Sequence, residues 1–313
     1  MAVKTKLSNE DLSRIAQRYD LPFRSAFEIE EGSENSNFIV RDASGKQYIL
    51  TIFEDRIDLE GVHYCINLQN HVAENGFVAP KCYLTTDGRF VDEIRGKPFG
   101  VFQFLNGRPI AYQDLSNRNI FDIGGKIANF HVISQKFQQL KSSLFGVDFV
   151  ADTYDFLYEK SAEYGDMCDK ISKGFDILEG FEPSNMRIGA VHNDLFADNI
   201  FFDGKDIAFI DFYFACTDYL ISDLAIAIIA LCMNDDGIFL SERVTHLLNG
   251  YRSVLKIEEN EKKSLKYFII IAILRFLCTR TLNYIGNIKT RPYQGMLNRL
   301  QFVLDNISYF DSL

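Results

Sequence analysis

The sequence predicts an α+β protein in which a small antiparallel sheet is followed by a larger, mostly helical part. Three observations predict this class. Short strand-like runs occupy about the first hundred residues, helical periodicity dominates the rest, and the motif Asn106-Gly107-Arg108-Pro109 is the clearest break between the two patterns. A chain of 313 residues is long enough for two domains. We therefore expect a small lobe over residues 1–105 and a larger lobe over residues 106–313.

The predicted small lobe contains strands and two helices. Ser8, followed three residues later by Asp11, is a capping-box variant that predicts the start of a first helix. The main helix of the lobe is predicted over residues 58–74 by its apolar spacing and by the Asn75-Gly76 stop. Period-2 patterns and turn residues predict antiparallel strands at 27–29, 37–41, 47–53, 90–94 and 99–104.

The predicted larger lobe is helical, with one interruption. Helical spacing predicts helices over residues 119–139, 153–172, 218–233, 241–254, 258–284 and 292–306. Between the second and the third of these, short apolar runs predict strands at 188–191, 200–202 and 207–210. Polar residues separate these runs, so we expect the chemistry of the protein to lie there.

Composition excludes several classes of partner. The formal net charge of −10 makes nucleic acid an unlikely ligand, because the chain lacks the positive field that attracts phosphate backbones. The longest uncharged apolar stretches, at 224–233 and 267–274, are about half the length of a membrane span, so no membrane partner is expected. The first residues contain no apolar signal segment, and the six cysteines form no C-x-x-C pair. These features predict a cytoplasmic protein with buried thiols.

The polar residues between the short strands form a compact set. His192, Asp194 and Asn199 lie on one loop between two apolar runs, and Asp211 directly follows the third run. Because both segments end at neighbouring strands, we expect Asp194, Asn199 and Asp211 to converge. Two carboxylates and an amide oxygen suit Mg²⁺, which keeps several waters and shares substrate phosphates. If only one carboxylate binds the metal, Asp194 is free to deprotonate a hydroxyl group.

This pattern, His-x-Asp-x-x-x-x-Asn followed by Ile-Asp-Phe, resembles the signature of the aminoglycoside phosphotransferase and choline kinase branch of the protein-kinase-like fold. The resemblance implies a bilobal fold and phosphoryl transfer from ATP with Mg²⁺. It implies that Asp194 is the catalytic base, that Asn199 and Asp211 bind the metal, and that His192 braces the loop. Asp223 resembles the structural aspartate of this family and receives no chemical role.

The residue at position 51 indicates one subgroup within the family that the sequence resembles. The third strand of such a lobe usually carries a lysine that pairs with the α and β phosphates, and Thr51 occupies that position here. Thr51 in the context Tyr-x-Leu-Thr-x-Phe-Glu, together with the segment Gly32-x-Glu34-Asn35-Ser36-Asn37-Phe38, resembles the kinase-like homoserine kinases of bacteria. That resemblance covers about residues 32–302.

The resemblance also implies nucleotide contacts in the small lobe. Gly32, Ser33 and Asn35 belong to the hairpin that would lie over the phosphates, although the hairpin contains a single glycine and is an ordinary polar turn when taken alone. Phe104 and Leu105 belong to the connecting segment, which would contact adenine. Arg41 or Arg56 could supply the charge that is missing at position 51, unless both are solvated surface arginines.

The implied acceptor is L-homoserine, which would become O-phospho-L-homoserine on the route to threonine. The guanidinium group of an arginine is the best partner for its carboxylate, because it can donate two parallel hydrogen bonds. Arg275 and Arg280 lie on the long apolar helix, about 140° apart around its axis, so at most one should face the site. Either could instead form a buried ion pair. Tyr213 either lines the acceptor pocket or packs in the core.

Two other functions remain open at this point. The protein could be a kinase of the same fold that acts on an aminoglycoside, choline or a sugar. It could also be a nucleotide-binding pseudokinase in which Thr51 marks lost catalysis, although the intact Asp194, Asn199 and Asp211 argue against this. The sequence indicates neither the oligomeric state nor the regulation of the protein.

Overall fold

The computed structural model describes residues 4–30, 35–54, 57–288, 290–311 and 313. The chain divides into two compact units, the first of which ends at Gly107 and the second of which begins at Arg108. The first unit is built on a sheet, and the second consists mainly of helices.

The sheet of the first unit has five antiparallel strands in the order β1-β2-β3-β5-β4. Each predicted strand overlaps an observed one, although β4 is shorter than expected. The strands are β1 (Phe23–Ile29), β2 (Ser36–Asp42), β3 (Gln47–Ile52), β4 (Asp92–Ile94) and β5 (Lys97–Gln103).

Two helices complete the first unit. Helix α1 (Asn9–Tyr19) begins with the predicted capping box, in which Ser8 and Asp11 satisfy each other's backbone N–H groups. Helix α2 (Leu59–Glu74) is capped by the Asp58 side chain, which accepts a hydrogen bond from the Gly61 N–H at 2.8 Å. The apolar residues of α1 pack against alternate residues of the strands, and this cluster is the core of the unit.

The second unit contains eight helices within the described residues. They are α3 (Asn117–Ser134), α4 (Val147–Tyr158), α5 (Ser161–Leu178), α6 (Ile221–Leu231), α7 (Ser241–Arg252), α8 (Glu259–Ile285), α9 (Gln294–Asp305) and α10 (Ile307–Phe310). Two small antiparallel sheets lie among them. One contains β6 (Arg108–Pro109), β8 (Ile200–Phe202) and β9 (Ile207–Phe209), and the other pairs β7 (Ile188–Val191) with β10 (Cys216–Tyr219).

Two elements differ in kind from the prediction, and the helix expected over 119–139 ends earlier, at Ser134. The single helix expected over 153–172 is two helices, because the backbone leaves helical geometry at Lys160 and again at Tyr164. The helix expected from residue 218 begins at Ile221, since the preceding residues pair as β10 with β7. The second difference arises from a tertiary partner, which local periodicity does not reveal.

Helices α3 and α7 approach each other very closely at two glycines. A Cβ atom added at Gly250 would lie 1.9 Å from the carbonyl oxygen of Phe121, and one added at Gly124 would lie 2.1 Å from that of Leu247. Both distances are far below van der Waals contact, so only glycine fits at these positions. The close approach brings residues of α7 next to α3 in the core.

Helix α8 is the central helix of the second unit. It is long and apolar enough to cross a membrane by composition, but 72% of its most apolar window is buried inside the unit. Its burial therefore accounts for its apolar character. All six cysteines of the chain are buried and free, as their spacing predicts.

Candidate active site

The polar residues of the predicted signature lie at one end of the β8–β9 hairpin. The backbone N–H of Ile210 donates to the carbonyl oxygen of Asn199 at 3.1 Å, so the residues that flank the two strands lie side by side. The Nε2 atom of His192 is 2.9 Å from the carbonyl oxygen of Ile210. His192 thus ties its own loop to the residue that precedes Asp211.

The Asn199 side chain is held against Asp194. Its Nδ2 group donates to both the carbonyl oxygen and the Oδ2 atom of Asp194, each at 2.9 Å. Asn199 is only 8% exposed, and its Oδ1 atom has no hydrogen bond to any described residue. The amide therefore fixes the Asp194 carboxylate and keeps its own oxygen available as a ligand.

Electrostatics distinguish the two aspartates. Burial, followed by the charge of Asp211, raises the pKa of Asp194 to about 7, and the positive charge of Arg275 acts in the opposite direction. Asp211 is exposed. A carboxylate that titrates near neutral pH is suited to accept a proton, and an exposed neighbouring carboxylate is suited to bind a cation.

The buried Asp223 carboxylate holds the loop that carries His192 and Asp194. Its Oδ1 atom accepts the N–H of Asn193 at 2.7 Å, and its Oδ2 atom accepts the N–H of His192 at 2.9 Å and lies 3.1 Å from Nε2 of His131. The Nδ1 atom of His131 lies 2.9 Å from the hydroxyl of Tyr251. Although burial alone would raise the pKa of Asp223, hydrogen bonding to His131 and nearby charges lower it. Residues of α3, α6 and α7 thus hold the loop.

The backbone is left-handed at two positions of the site. Asn193 has φ 64° and Asp211 has φ 61°, and neither is glycine. Each such position costs about 1–3 kcal/mol and persists only where the surroundings impose it. Asn193 directly precedes Asp194, and Asp211 is itself a residue of the predicted site. The strained backbone at these positions therefore orients the side chains of Asp194 and Asp211.

Arg275 imposes the conformation at Asn193. Its Nη1 group donates to the carbonyl oxygen of Asn193 at 2.9 Å and also to the Oδ1 atom of Asn193. Three aromatic rings surround the guanidinium group, which has no ion pair within the described ranges. The bond to Asn193 is a role that the sequence did not predict. The contact of Arg275 with the acceptor stays a prediction, since its Nε atom has no hydrogen-bond partner.

Arg280 and Tyr213, the other predicted acceptor residues, are both buried. The guanidinium of Arg280 lies 5.4 Å from the centre of the Phe196 ring, and its Nη1 atom has no hydrogen-bond partner. The Tyr213 ring contacts that of Phe214, with 4.9 Å between their centres. Each of the two arginines on α8 has a buried nitrogen without a hydrogen-bond partner, Nε of Arg275 and Nη1 of Arg280, and Arg275 also binds the loop.

In the first unit, Thr51 is engaged by the neighbouring strand. Its hydroxyl donates to Oδ1 of Asn37 at 2.8 Å, across the β2–β3 pairing. Arg41 pairs with Gln47 at the other end of the same two strands, and its guanidinium covers the Phe27 ring at 5.1 Å. Arg41 is therefore not beside Thr51.

Three of the remaining predicted nucleotide residues lie within the described part of the first unit. Asn35 is buried, and its Oδ1 atom accepts a hydrogen bond from the N–H of Glu54 at 3.4 Å. Phe104 and Leu105 follow β5 and are half-buried. The other positions named from sequence for this side, Gly32, Ser33 and Arg56, lie outside the described residues.

Sequence reasoning missed three parts of this arrangement. The tie between Asn193 and Arg275, the contact of His131 with Tyr251, and the buried ion pair of Glu54 with Lys97 all join residues that are far apart in the chain. The polar Asn193 inside the signature was the one local signal, because a buried loop amide needs partners.

The donor set fits a magnesium ion that is shared with a phosphate ligand. The described part of the chain contains no cluster of three His, Cys, Asp or Glu side chains that could enclose a metal. One amide oxygen and one exposed carboxylate, at Asn199 and Asp211, are the partial oxygen set that Mg²⁺ uses when waters and phosphates complete its shell.

A model of the phosphotransferase enzyme family (APH) matches residues 26–256, which is well over half of the chain. The chain belongs to this family. The match confirms the predicted resemblance to the aminoglycoside phosphotransferase and choline kinase branch.

Individual members of the phosphotransferase enzyme family resemble the chain over nearly its full length. A homoserine kinase of Paramagnetospirillum magneticum is 31% identical over 91% of this chain and 89% of its own. One of Xanthobacter autotrophicus is 32% identical over the same shares. The solved structure of an amicoumacin kinase with AMP-PNP, Ca²⁺ and amicoumacin superposes with a TM-score of 0.76 at 16% identity, covering 97% of this chain and 94% of that one. The predicted α+β, protein-kinase-like fold is confirmed.

Proposed function

We propose that this phosphotransferase transfers the γ-phosphate of ATP to the side-chain hydroxyl of L-homoserine and forms O-phospho-L-homoserine. The observation that carries the proposal is the meeting of Asp194, Asn199 and Asp211 at one hairpin, in a chain that resembles homoserine kinases over about nine tenths of its length. We place the reaction in the cytoplasm.

Asp194 is the base of the proposed reaction. Its carboxylate accepts a hydrogen bond from the acceptor hydroxyl and orients the oxygen towards the γ-phosphorus. It takes the proton as the new P–O bond forms and as the bond from the γ-phosphorus to the departing ADP breaks. The Asn199 amide holds Oδ2 of Asp194, so the carboxylate is oriented before the acceptor binds. The strained backbone at Asn193 supports the same orientation.

Asn199 and Asp211 are the residues that would hold Mg²⁺. The amide supplies Oδ1, and the exposed Asp211 supplies its carboxylate. A bound Mg²⁺ supplies charge neutralisation for the β and γ phosphates. His192 and Asp223 take no part in the chemistry and keep the two turns together.

The nucleotide residues of the first unit belong to the same proposal. Asn35 and Thr51 lie on or beside the strands that the family uses for phosphates, and Gly32 and Ser33 precede them in sequence. The Thr51 hydroxyl donates a hydrogen bond to Oδ1 of Asn37, so its contribution is to orient the Asn37 amide. Phe104 and Leu105 supply backbone groups for adenine.

An acceptor panel tests the function. Purified protein with Mg-ATP is offered L-homoserine, L-serine, L-threonine, choline, an aminoglycoside and a sugar, and ADP release is measured. We expect L-homoserine to have the highest kcat/KM. A higher kcat/KM for another acceptor would replace homoserine, and a thermal shift with Mg-ATP but no turnover of any acceptor would indicate a pseudokinase.

Two variants test the assigned roles. Asp194→Asn should lower kcat by about 10²–10⁴-fold while Mg-ATP still binds, since it removes the base alone. Asp211→Asn should lower kcat and also weaken Mg-ATP binding. Asp176→Asn, which changes an exposed aspartate on α5, is the control. Near-normal turnover by a folded Asp194→Asn or Asp211→Asn protein would refute the mechanism.

A further inference from the structure

Three arginines of the second unit lie near one another, and two of them have acidic partners. Arg291 pairs with Asp198 at 2.9 Å, and Arg299 pairs with Asp235 at 2.9 Å. Arg280 forms no ion pair and no hydrogen bond with any residue that the structure describes. It is therefore the one of these three arginines that has no acidic side chain in direct contact within the described residues.

Arg280 is also deeply placed. Its side chain is 6% exposed. Burial, followed by the charges of Arg291 and Arg299, lowers its pKa to about 10. A buried guanidinium without a partner is costly, and proteins retain such a group where a ligand supplies the missing anion. Its unpartnered, fully buried Nη1 atom is a donor that such an anion could satisfy.

The position of Arg280 connects it to the reacting centre. The Phe196 ring lies under both Arg280 and Arg291, with guanidinium carbons at 5.4 Å and 5.1 Å from its centre. Phe196 is two residues after Asp194 and donates its N–H to the carbonyl oxygen of Asp194 at 2.9 Å. Their Cα atoms are thus at most about 7 Å apart. The negative charge of Asp194 also acts on Arg280, against the effect of burial on its pKa, so the two groups lie within electrostatic range of each other.

We propose that Arg280, with Arg291 at its rim and Phe196 beneath, is the binding site for the carboxylate of the acceptor. The inference rests on the proposed function and deepens it, because it makes an anionic group a condition of substrate choice. Amino alcohols and polycationic antibiotics lack that group, and they would leave Arg280 buried and unpaired. The site therefore selects an amino acid over a cationic alcohol by charge.

Two acceptors that differ only in the carboxylate measure how much this group contributes to kcat/KM. 3-Amino-1-propanol is L-homoserine with the carboxylate replaced by hydrogen, so the ratio of kcat/KM for the two measures what the carboxylate contributes. In the wild-type protein we expect a ratio of about 100 or more, the value of a buried charge-assisted contact. In Arg280→Met the ratio should fall below about 10, mainly because the KM for homoserine rises, while the KM for ATP stays unchanged.

Further variants separate binding from folding. Arg280→Lys keeps the charge without the fork and should recover part of the ratio. Arg118→Met, which changes an exposed arginine of α3, should leave the ratio unchanged. If Arg280→Met slows both acceptors equally, or slows neither, the assignment is wrong. Thermal melting of each variant shows whether it is folded.

Calorimetry separates this inference from the proposed function. L-homoserine is titrated into wild-type and Arg280→Met protein with Mg-ADP present, so that binding is measured without turnover. Binding by the wild type that is lost in Arg280→Met supports the carboxylate site even if no phosphate is transferred. Equal binding by both proteins refutes the site even if homoserine is the best substrate. Absence of binding to the wild type refutes both.

Discussion

Replacing Asp223 by asparagine tests how the second unit holds its catalytic loop. The carboxylate of Asp223 accepts hydrogen bonds from two backbone N–H groups of the loop and contacts His131, and all of these groups are buried. An asparagine keeps one acceptor oxygen and turns an N–H₂ group towards another donor. The change removes about two charge-assisted hydrogen bonds, each of which contributes about 1.5–3 kcal/mol.

We therefore expect Asp223→Asn to lower the free energy of unfolding by about 3–5 kcal/mol. The melting temperature should fall by about 10 °C, since 1 kcal/mol corresponds to about 2–4 °C in a protein unit of this size. In the folded fraction, kcat should fall by about 100-fold, because the residue after the two released N–H groups is Asp194 and a small misplacement of a reacting group costs that much.

Asp218→Asn is the matched control. Burial raises the pKa of Asp218, so its charged form is already disfavoured, and a neutral amide should change the stability by less than about 1 kcal/mol. Thermal and urea unfolding of the two variants and the wild type measure the difference. A loss of less than about 1 kcal/mol in Asp223→Asn, or equal losses in both variants, would refute the bracing role of Asp223.

The same comparison has a predicted pH dependence. The pKa of Asp223 is lowered in the folded protein, so its contribution to stability is complete above the unfolded pKa of about 3.9 and is lost as the pH falls through the lower folded pKa. The stability difference between the wild type and Asp223→Asn should therefore be constant between about pH 5 and pH 8 and should shrink below about pH 4. A stability difference that grows as the pH falls would contradict the predicted direction of this pH dependence.

Three further outcomes are expected. Because burial and a nearby carboxylate raise the pKa of Asp194 to about 7, kcat/KM should rise with pH through an apparent pKa at or below about 7, the bound metal lowering it; activity that rises from pH 8 to pH 5 would contradict this. Gly250→Ala should destabilise the protein by more than about 2 kcal/mol in urea unfolding, whereas Gly165→Ala, with open space around its Cβ, should stabilise it by about 0.5–1 kcal/mol. Arg275→Met should lower kcat with little change in the KM for ATP or for homoserine, because the change removes the hydrogen bond to Asn193 and not a contact with substrate. Arg275→Lys should restore part of kcat. A selective rise in the KM for homoserine would instead indicate that Arg275 contacts the acceptor.

Local patterns were sufficient for most of the first unit. The capping box at Ser8, the hairpin turn before β3 and the strands of the sheet depend on residues close in sequence, and all appear where they were expected. The main exceptions lie in the second unit. Strand β10 exists only because β7 lies beside it, and α4 and α5 separate at a backbone break that their continuous apolar spacing conceals.

The candidate site divides in the same way. The spacing of His192, Asp194, Asn199 and Asp211 was visible in the sequence, because the loop and the hairpin that carry them are consecutive segments. The sequence offered Arg275 and Arg280 for the acceptor carboxylate but did not distinguish between them, since a helix position gives the direction of a side chain and not its partner.

By itself, the sequence determined the order of the elements, the residues that could meet a phosphate and a metal, and the family to which the chain belongs. Only the tertiary structure decided that Arg275 binds Asn193 of the loop, that Arg280 has no acidic partner among the described residues, and that α6, α3 and α7 brace the same turn. The physical reason is that hydrogen bonding and the balance of buried charge depend on which distant residues occupy the same few ångströms.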